Sequence, residues 1–167
     1  MLAGTLVLSG CASQEPPHAI GRAVRRAGTE PECFCVEKDD AQMARAVRSA
    51  RRHVGVFITA LQHPGPGQRD FEVKKPFVKD GKVEHLWLSH VQYSGGRFHG
   101  LVDNRPQNIT GIKMGQRVSV NPDEISDWSY VDDGKLVGGY TVRVLCSELS
   151  PERKQEFLKG ANFRLEP

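Results

Sequence analysis

Residues 125–145 read ISDWSYVDDGKLVGGYTVRVL, and this stretch decides the fold class. Asp133-Gly134 is typical of the tight turn between two antiparallel strands, where both turn residues need a positive φ. A two-residue turn sets Asp132 opposite Lys135, and alternation along each strand then assigns every side chain to a face. One face receives Ile125, Val131, Leu136, Tyr140 and Val142, and the other receives Trp128, Tyr130, Val137 and Thr141. Because both faces are apolar, the pattern predicts a hairpin in the middle of a sheet.

A second hairpin is predicted over residues 85–103, around Gly95-Gly96. Two glycines permit the same kind of tight turn, which sets Ser94 opposite Arg97. Alternation from that pair predicts one buried face, formed by Trp87, Val91, Tyr93, Phe98 and Val102.

Two further strands are predicted outside these hairpins. Apolar residues two apart between Phe71 and Phe77 indicate the first, and we expect it at a sheet edge because Pro76 cannot donate a ladder hydrogen bond. Residues 116–120 predict a short strand between the hairpins. Within the strand pattern of the later hairpin, Gly138-Gly139 indicates a bulge or a close approach of another group.

The helices are predicted from apolar spacings of three and four. Asp39-Asp40 would begin a helix of about six turns that ends before His63-Pro64, because proline cannot continue the hydrogen-bond ladder. Its apolar stripe comprises Met43, Val47, Ala50, Val54, Phe57 or Ile58, and Leu61. Ser150-Pro151 would begin a short last helix. The prediction is an α+β fold: a small, strongly bent antiparallel sheet of about five or six strands, with a long N-terminal helix and a short C-terminal helix packed on it.

Composition limits the classes of partner. The 167 residues carry 23 Lys and Arg against 20 Asp and Glu, and a net charge of +3 does not indicate a nucleic-acid partner. Many arginines nevertheless fall early in the chain, between Arg22 and Arg52. This cluster is either a solvated helix face or a surface near anionic lipid headgroups.

The first ten residues read MLAGTLVLSG, an apolar run too short to span a bilayer but sufficient for a signal peptide. With Cys11 they form Leu-Ser-Gly-Cys, which resembles the lipobox of bacterial lipoproteins. The resemblance implies cleavage before Cys11, acylation of that residue and a lipid-anchored position in the cell envelope. We expect a signal peptide over residues 1–10, a tether over residues 11–36 and a single domain over residues 37–167.

The remaining cysteines allow a disulfide. Cys33 and Cys35 are too close in sequence for an unstrained bridge to each other, so one of them would pair with Cys146. The alternative is a metal site of all three thiolates, for which the sequence offers no clear fourth ligand.

Other chemistry-bearing residues form no familiar motif. His90 and His99 could approach each other on neighbouring strands, with Asp103 as a third metal ligand, whereas His85 lies five residues from His90 and points to the other face of a regular strand. The usual signatures of acyl transfer, zinc proteolysis and nucleotide binding do not occur in the sequence. From sequence we assign no catalytic residue, no metal ligand and no cofactor.

Several motifs together resemble a known bacterial family. EHLWLSHV (84–91), FHGLVDNRP (98–106), MGQRVSV (114–120) and the opening stretch (125–145) are similar, in this order, to the bacterial domain of unknown function numbered 2314. The resemblance covers about Asp70 to Leu145. It implies no activity, cofactor or catalytic residue.

The sequence therefore predicts a membrane-anchored, non-catalytic binding or interaction module, whose partner is an unknown protein or small ligand. Its predicted binding residues are Asn104, Trp128, Tyr130, Thr141 and Arg143, with Trp128 as part of a partly exposed aromatic platform or of a second core face. The alternatives are a hydrolytic or metal-assisted envelope enzyme that uses the histidines and a protective, immunity-like protein.

Overall fold

The computed structural model describes residues 41–166, which form four helices and six strands. In chain order the elements are α1 (Ala41–Arg52), α2 (Val54–Gln62), β1 (Gln68–Lys79), β2 (Lys82–Ser94), β3 (Arg97–Val102), β4 (Arg117–Val120), β5 (Asp127–Asp132), β6 (Lys135–Gly138), α3 (Tyr140–Glu148) and α4 (Pro151–Gly160). The strands form one antiparallel sheet in the order β4-β3-β2-β1-β5-β6. The predicted α+β class and the predicted number of strands are confirmed.

Both predicted turns are present with the predicted pairing. Asp132 lies opposite Lys135 across the β5–β6 turn, and Ser94 lies opposite Arg97 across the β2–β3 turn. All four turn residues have positive φ, as tight hairpin turns require.

The sheet is buried on both faces. One apolar cluster joins the sheet to α2 and to Ala50 of α1, and it includes Phe57, Leu86, Leu88, Phe98, Trp128 and Tyr130. A second cluster includes Trp87, Val131, Leu136, Val142, Cys146 and Phe163. Because neighbouring residues of one strand, such as Tyr130 and Val131, belong to different clusters, the clusters lie on opposite faces.

The predicted position of Trp87 is wrong. Regular alternation put Trp87 on the same face as Tyr93 and Phe98, but the pairing of β2 with β3 shifts register between Ser89 and Gln92. This bulge reverses the phase of the residues before it, so Trp87 joins the second cluster.

Residues 140–148 form α3, although alternation had predicted a strand through Val142. Strand β6 ends at Gly138, which has φ 71°, and Gly139 follows with φ 61°. A side chain at Gly138 would be strained there, since its Cβ would lie 2.4 Å from the carbonyl oxygen of Trp128. The predicted close approach at Gly138 is thus confirmed, and the reversal at these glycines starts a helix.

Strand β1 is central rather than at an edge. It pairs with β2 through Pro76, opposite His85, whereas its pairing with β5 extends only to Lys74. Pro76 therefore lies in a part of β1 that has a partner strand on one side only. This position tolerates the missing amide hydrogen.

The predicted long N-terminal helix is two helices. The break falls at His53, where the amide of Val56 donates to the carbonyl of His53 in a tight three-residue turn. Gly55 is the weakest helix former nearby, and Phe57 of α2 lies in the core with no solvent exposure. The end of α2 before His63 is as predicted.

The short last helix, α4, begins as predicted. Ser150 accepts a hydrogen bond from the amide of Arg153, and Pro151 occupies the first helical position. After α4 the chain returns to the sheet, where the amide of Leu136 donates to the carbonyl of Arg164. This contact places residues 161–163 beside the sheet.

Candidate functional site

A cleft opens where β1 and β2 separate. The two strands pair from Val73 opposite Leu88 to Lys79 opposite Lys82. Beyond Val73, β1 continues along β5 while β2 continues along β3. The cavity beside this split has a volume of about 420 Å³.

A backbone irregularity lies on each side of the split. Asp70 of β1 has φ 55° and His90 of β2 has φ 52°. Asp70 lies where the pairing of β1 with β5 shifts register, and His90 lies where the pairing of β2 with β3 shifts register. Such φ values are uncommon in residues other than glycine, and bulges of this kind bend a strand and end regular pairing. The two bulges thus create the split, and both residues line the cleft.

The polar lining comes from four parts of the chain. It consists of Asp70, Glu72, Ser89, His90, Asp103 and Asn162. Three of these are carboxylates and none is lysine or arginine. The lining therefore offers mainly hydrogen-bond acceptors and negative charge.

The apolar lining comes from both faces of the sheet. It consists of Leu61, Phe71, Val91, Ala161 and Phe163. Leu61 belongs to α2, which covers the face of the first apolar cluster. Ala161 and Phe163 belong to the segment after α4, and this segment covers the face of the second cluster. A mixed lining of this kind is usual in sites for small ligands.

Hydrogen bonds hold the rim of the cleft in place. The side-chain amide of Asn162 donates to the Asp70 carboxylate at 2.6 Å, and Arg69 forms an ion pair with the same carboxylate. Arg69 also donates to the carbonyl oxygen of Asn162 at 3.0 Å. On the opposite rim the amide of Asp103 donates to the carbonyl of Trp87 at 2.8 Å.

A buried polar network stabilises the sheet near the cleft. The Asp127 carboxylate, with no solvent exposure, accepts hydrogen bonds from the amides of Trp128, Tyr140 and Thr141 and from the Thr141 hydroxyl. Lys74, equally buried, donates from Nζ to that hydroxyl at 3.2 Å. Burial raises the pKa of Asp127, while the hydrogen bonds from Thr141 and the charge of Lys74 act in the opposite direction. The carboxylate thereby caps the N-terminus of α3.

His85 lies close to this network. Its Nδ1 is 2.8 Å from the hydroxyl of Ser126. Burial, followed by the positive charges of Lys74 and Arg51, lowers the pKa of His85 from 6.5 to about 4. The folded protein therefore favours the neutral ring.

This lowered pKa predicts a loss of stability in acid. The folded state binds a proton at His85 less readily than the unfolded state, so the stabilisation is complete above pH 6.5 and is lost as the pH falls toward 4. The lowered pKa corresponds to about 3 to 4 kcal/mol of unfolding free energy in total, at about 1.4 kcal/mol per pKa unit. Urea unfolding of wild type and His85→Gln between these pH values measures it, and the variant is expected to lose less stability. His63→Gln, at an exposed ring, is the control. If the free energy of unfolding of His85→Gln depended on pH as steeply as that of wild type, His85 would not be the source of the acid sensitivity.

The structure places the predicted aromatic platform in the core. Trp128 is 2% exposed and Tyr130 is 5% exposed, and the Trp128 indole donates to the carbonyl of Ala50 at 2.8 Å. Of the two readings offered by the sequence, a second core face matches this placement, whereas an exposed platform does not. The rings pack on Phe57 because α2 covers this face of the sheet.

The other three predicted binding residues are dispersed. Thr141 lies in the buried network, and the side chain of Asn104 accepts from the amide of Trp87 at 2.8 Å. The Arg143 guanidinium donates to the carbonyls of Leu136 and Gly138. Each therefore has a structural contact, and none lines the cleft.

The histidines are not brought together. His99 has its Nδ1 2.7 Å from the Ser119 hydroxyl, His85 contacts Ser126, and His90 lines the cleft. Within residues 41–166 no three His, Cys, Asp or Glu residues are placed to hold a metal ion. The suggested site of His90, His99 and Asp103 is therefore not assembled there.

Several sequence-based predictions concern residues outside the described range. Cys11, the signal peptide, the tether and the disulfide partners Cys33 and Cys35 all precede residue 41. Cys146 is buried in the second cluster, and burial raises the pKa of its thiol. The predicted disulfide remains a prediction. None of the four helices within residues 41–166 combines the length and the apolar character that a membrane span requires.

The cleft was not predicted from the sequence, in which His90 and Asp103 are candidate metal ligands only. One signal was available in β2. Leu88 and Val91 are both buried but are three residues apart, which breaks the two-residue period and marks a bulge. Nothing comparable marks Asp70 or Asn162, since they meet only through the tertiary fold.

Comparison with known proteins yields relatives without a described activity. The chain is 34% identical to the uncharacterized protein YegJ of Escherichia coli K12 over 118 residues, covering 71% of this chain and 76% of the relative. It is 30% identical to a putative ankyrin repeat protein of Neisseria meningitidis serogroup B over 131 residues, covering 74% of this chain and 52% of that protein. The chain thus spans about half the length of the Neisseria relative. No solved structure matches.

A family profile described as "Uncharacterized protein conserved in bacteria (DUF2314)" matches residues 40–164. The match covers α1 to α4, so it extends beyond the stretch in which the sequence motifs resemble the family. It includes the arginine-rich helix as well as the residues that line the cleft. The chain therefore belongs to the DUF2314 family of conserved bacterial proteins.

Proposed function

We propose that the protein is a lipid-anchored, non-catalytic binding module of the bacterial envelope, which takes its ligand into the cleft between β1 and β2. The observation that carries the proposal is the cavity of about 420 Å³ beside the split sheet. The anchor is Cys11, on the strength of the lipobox that precedes it.

Binding fits the cleft better than catalysis. A nucleophile or general base must reach the reacting atoms, usually within hydrogen-bond distance. Asp127, Lys74 and Thr141 are among the most deeply buried polar residues, at most 1% exposed, and are engaged with one another. They support the sheet, whereas the cleft supplies carboxylates, an amide and apolar surface.

The lining also favours one class of ligand. Carboxylate acceptors bind N–H donors of cationic groups more strongly than neutral donors. The flanking rings of Phe71 and Phe163 favour a ligand with an apolar portion. An alkyl guanidinium or amine, such as a side chain of a partner protein, combines these features.

A matched pair of probes tests this function. Nα-acetylarginine amide is expected to bind in the cleft, whereas the neutral isostere Nα-acetylcitrulline amide binds more weakly. Asp70→Asn should raise the Kd of the arginine probe about tenfold, since a hydrogen bond to a charged partner contributes about 1.5 to 3 kcal/mol and this rim is partly exposed. Titration followed by amide NMR shifts measures affinity and location together.

The substitution is chosen to preserve the backbone. Asparagine tolerates the positive φ of residue 70 and retains an oxygen that can accept from Asn162. Asp123→Asn removes the same charge from an exposed loop outside the cleft and serves as the control. Equal affinity for the two probes, or shifts confined to residues away from the cleft, would exclude this ligand class.

A further inference from the structure

All charged residues on the exposed face of α1 are basic. Its sequence is AQMARAVRSARR, with Met43, Ala46 and Ala50 buried and with no acidic residue. Arg45, Arg48 and Arg52 are exposed and lie three and four residues apart. This spacing aligns them along one side of the helix.

These three arginines differ from others in the described residues. Arg51, for example, donates to the carbonyl of Ile125, and Arg143 donates to two backbone carbonyls. The guanidinium groups of Arg45, Arg48 and Arg52 make no hydrogen bond or ion pair with another described residue. Like charges four residues apart, as in Arg48 and Arg52, slightly destabilise a helix. Within the described residues, these three side chains therefore do not stabilise the fold. Their positive charge makes this face complementary to an anionic partner.

The position of α1 in the chain indicates which anionic partner is near. The helix begins about 30 residues after Cys11, the anchor in the proposed function. A chain of that length cannot span more than roughly 100 Å even when fully extended. Tethering at this range keeps the basic face at a high effective concentration near the bilayer surface.

We propose that Arg45, Arg48 and Arg52 dock the domain on the anionic headgroups of the membrane that holds its anchor. The inference rests on the proposed anchor at Cys11. The buried side of α1 packs through Ala50 in the first apolar cluster and through Met43 against Leu145 of α3. Arg45, Arg48 and Arg52 are exposed on the remaining surface of the helix.

The test uses the full chain with Cys11→Ala, so that acylation does not contribute to binding. Co-sedimentation is measured with vesicles of phosphatidylcholine and of an equimolar mixture with phosphatidylglycerol. The parent is expected to prefer the anionic vesicles, and added salt should weaken that preference. Replacing all three arginines with glutamine should lower the partition coefficient about a hundredfold, and Arg48→Gln alone about fivefold, because each cation contributes about 1 kcal/mol near such a surface.

Two matched variants separate docking from general charge. Replacing the same arginines with lysine keeps the charge and should change binding only a few-fold. Replacing Lys82, Lys113 and Arg117 with glutamine removes the same charge from exposed sites on other elements and should leave most of the binding. All variants share the apolar N-terminus, and glutamine has a helix propensity close to that of arginine.

The outcomes are distinct. A parent without preference for anionic vesicles, or a control variant that loses as much binding as the arginine variant, would overturn the docking surface. The anchor is tested separately by the intact mass of wild-type protein extracted from membranes, which should show loss of ten residues and added acyl mass. If acylation is absent while vesicle binding follows the pattern above, the anchor fails and the basic surface stands.

Discussion

Asp127→Ala is expected to lower the free energy of unfolding by about 4 kcal/mol or more. The substitution removes the acceptor for the amides of Trp128, Tyr140 and Thr141, and it leaves Lys74 buried without this carboxylate. Asp127 and Lys74 are linked through the Thr141 hydroxyl, and removing one of two interacting buried charges typically costs about 3 to 5 kcal/mol. Because ordinary domains are stable by about 5 to 15 kcal/mol, a large part of the stability would be lost. Urea unfolding followed by circular dichroism measures it.

Four further variants identify the cause: Asp127→Asn, Lys74→Met, their combination and Asp123→Asn. Asp127→Asn keeps one acceptor oxygen but removes the charge. Its free energy of unfolding should therefore lie between those of wild type and Asp127→Ala. Combining it with Lys74→Met removes both charges, so the double variant should lose less than the sum of the single losses. Asp123→Asn, at an exposed carboxylate, should be nearly neutral. Additive losses for Asp127 and Lys74 would show that the two groups do not act together.

Trp128→Ala is expected to destabilise the domain as strongly as Trp87→Ala, by about 3 to 5 kcal/mol each. Trp128 is 2% exposed and Trp87 is 1% exposed, so both substitutions open a large cavity. In addition, Trp128 packs beside Phe57 with ring centroids 5.3 Å apart. Thermal and urea unfolding of both variants provide the comparison. A stable Trp128→Ala variant would restore the view that Trp128 belongs to an exposed platform.

Phenylalanine at the same positions should distinguish the two indoles. The Trp128 indole donates to the carbonyl of Ala50, whereas the Trp87 indole nitrogen has no hydrogen-bond partner among the described residues. Trp128→Phe therefore leaves a buried carbonyl unsatisfied and should cost about 1 to 3 kcal/mol beyond the change in packing. Trp87→Phe removes an unsatisfied donor and should cost less. Met114→Ala, at an exposed side chain, serves as the control.

The buried network and the cleft have complementary roles in this fold. Asp127 and Lys74 hold β1, β5 and α3 together through directional contacts that exclude solvent. The cleft lies beyond Val73 on the same central strand, where pairing with β2 has ended. A rigid support beside an open split favours a preformed site, which lowers the entropic cost of binding.

Local sequence determined the turns and the start of the last helix. Asp133-Gly134 and Gly95-Gly96 fixed the pairing next to each turn, because a two-residue turn with positive φ leaves one register. Ser150 and Pro151 set the start of α4 through contacts within one helical turn. These features depend on residues that are neighbours in the chain, and they were predictable for that reason.

Tertiary structure decided the features that depend on distant partners. Residues 140–148 are rich in β-branched and aromatic types, yet they form a helix because Asp127, from another element, accepts their first amides. The face of Trp87 depends on a bulge that local alternation does not include. The cleft joins Asp70, His90, Asp103 and Asn162, which come together only when strands separate and the C-terminal segment folds back over them. Sequence patterns act over a few residues, whereas capping across the sheet and the shape of a cavity depend on contacts between segments far apart in the chain.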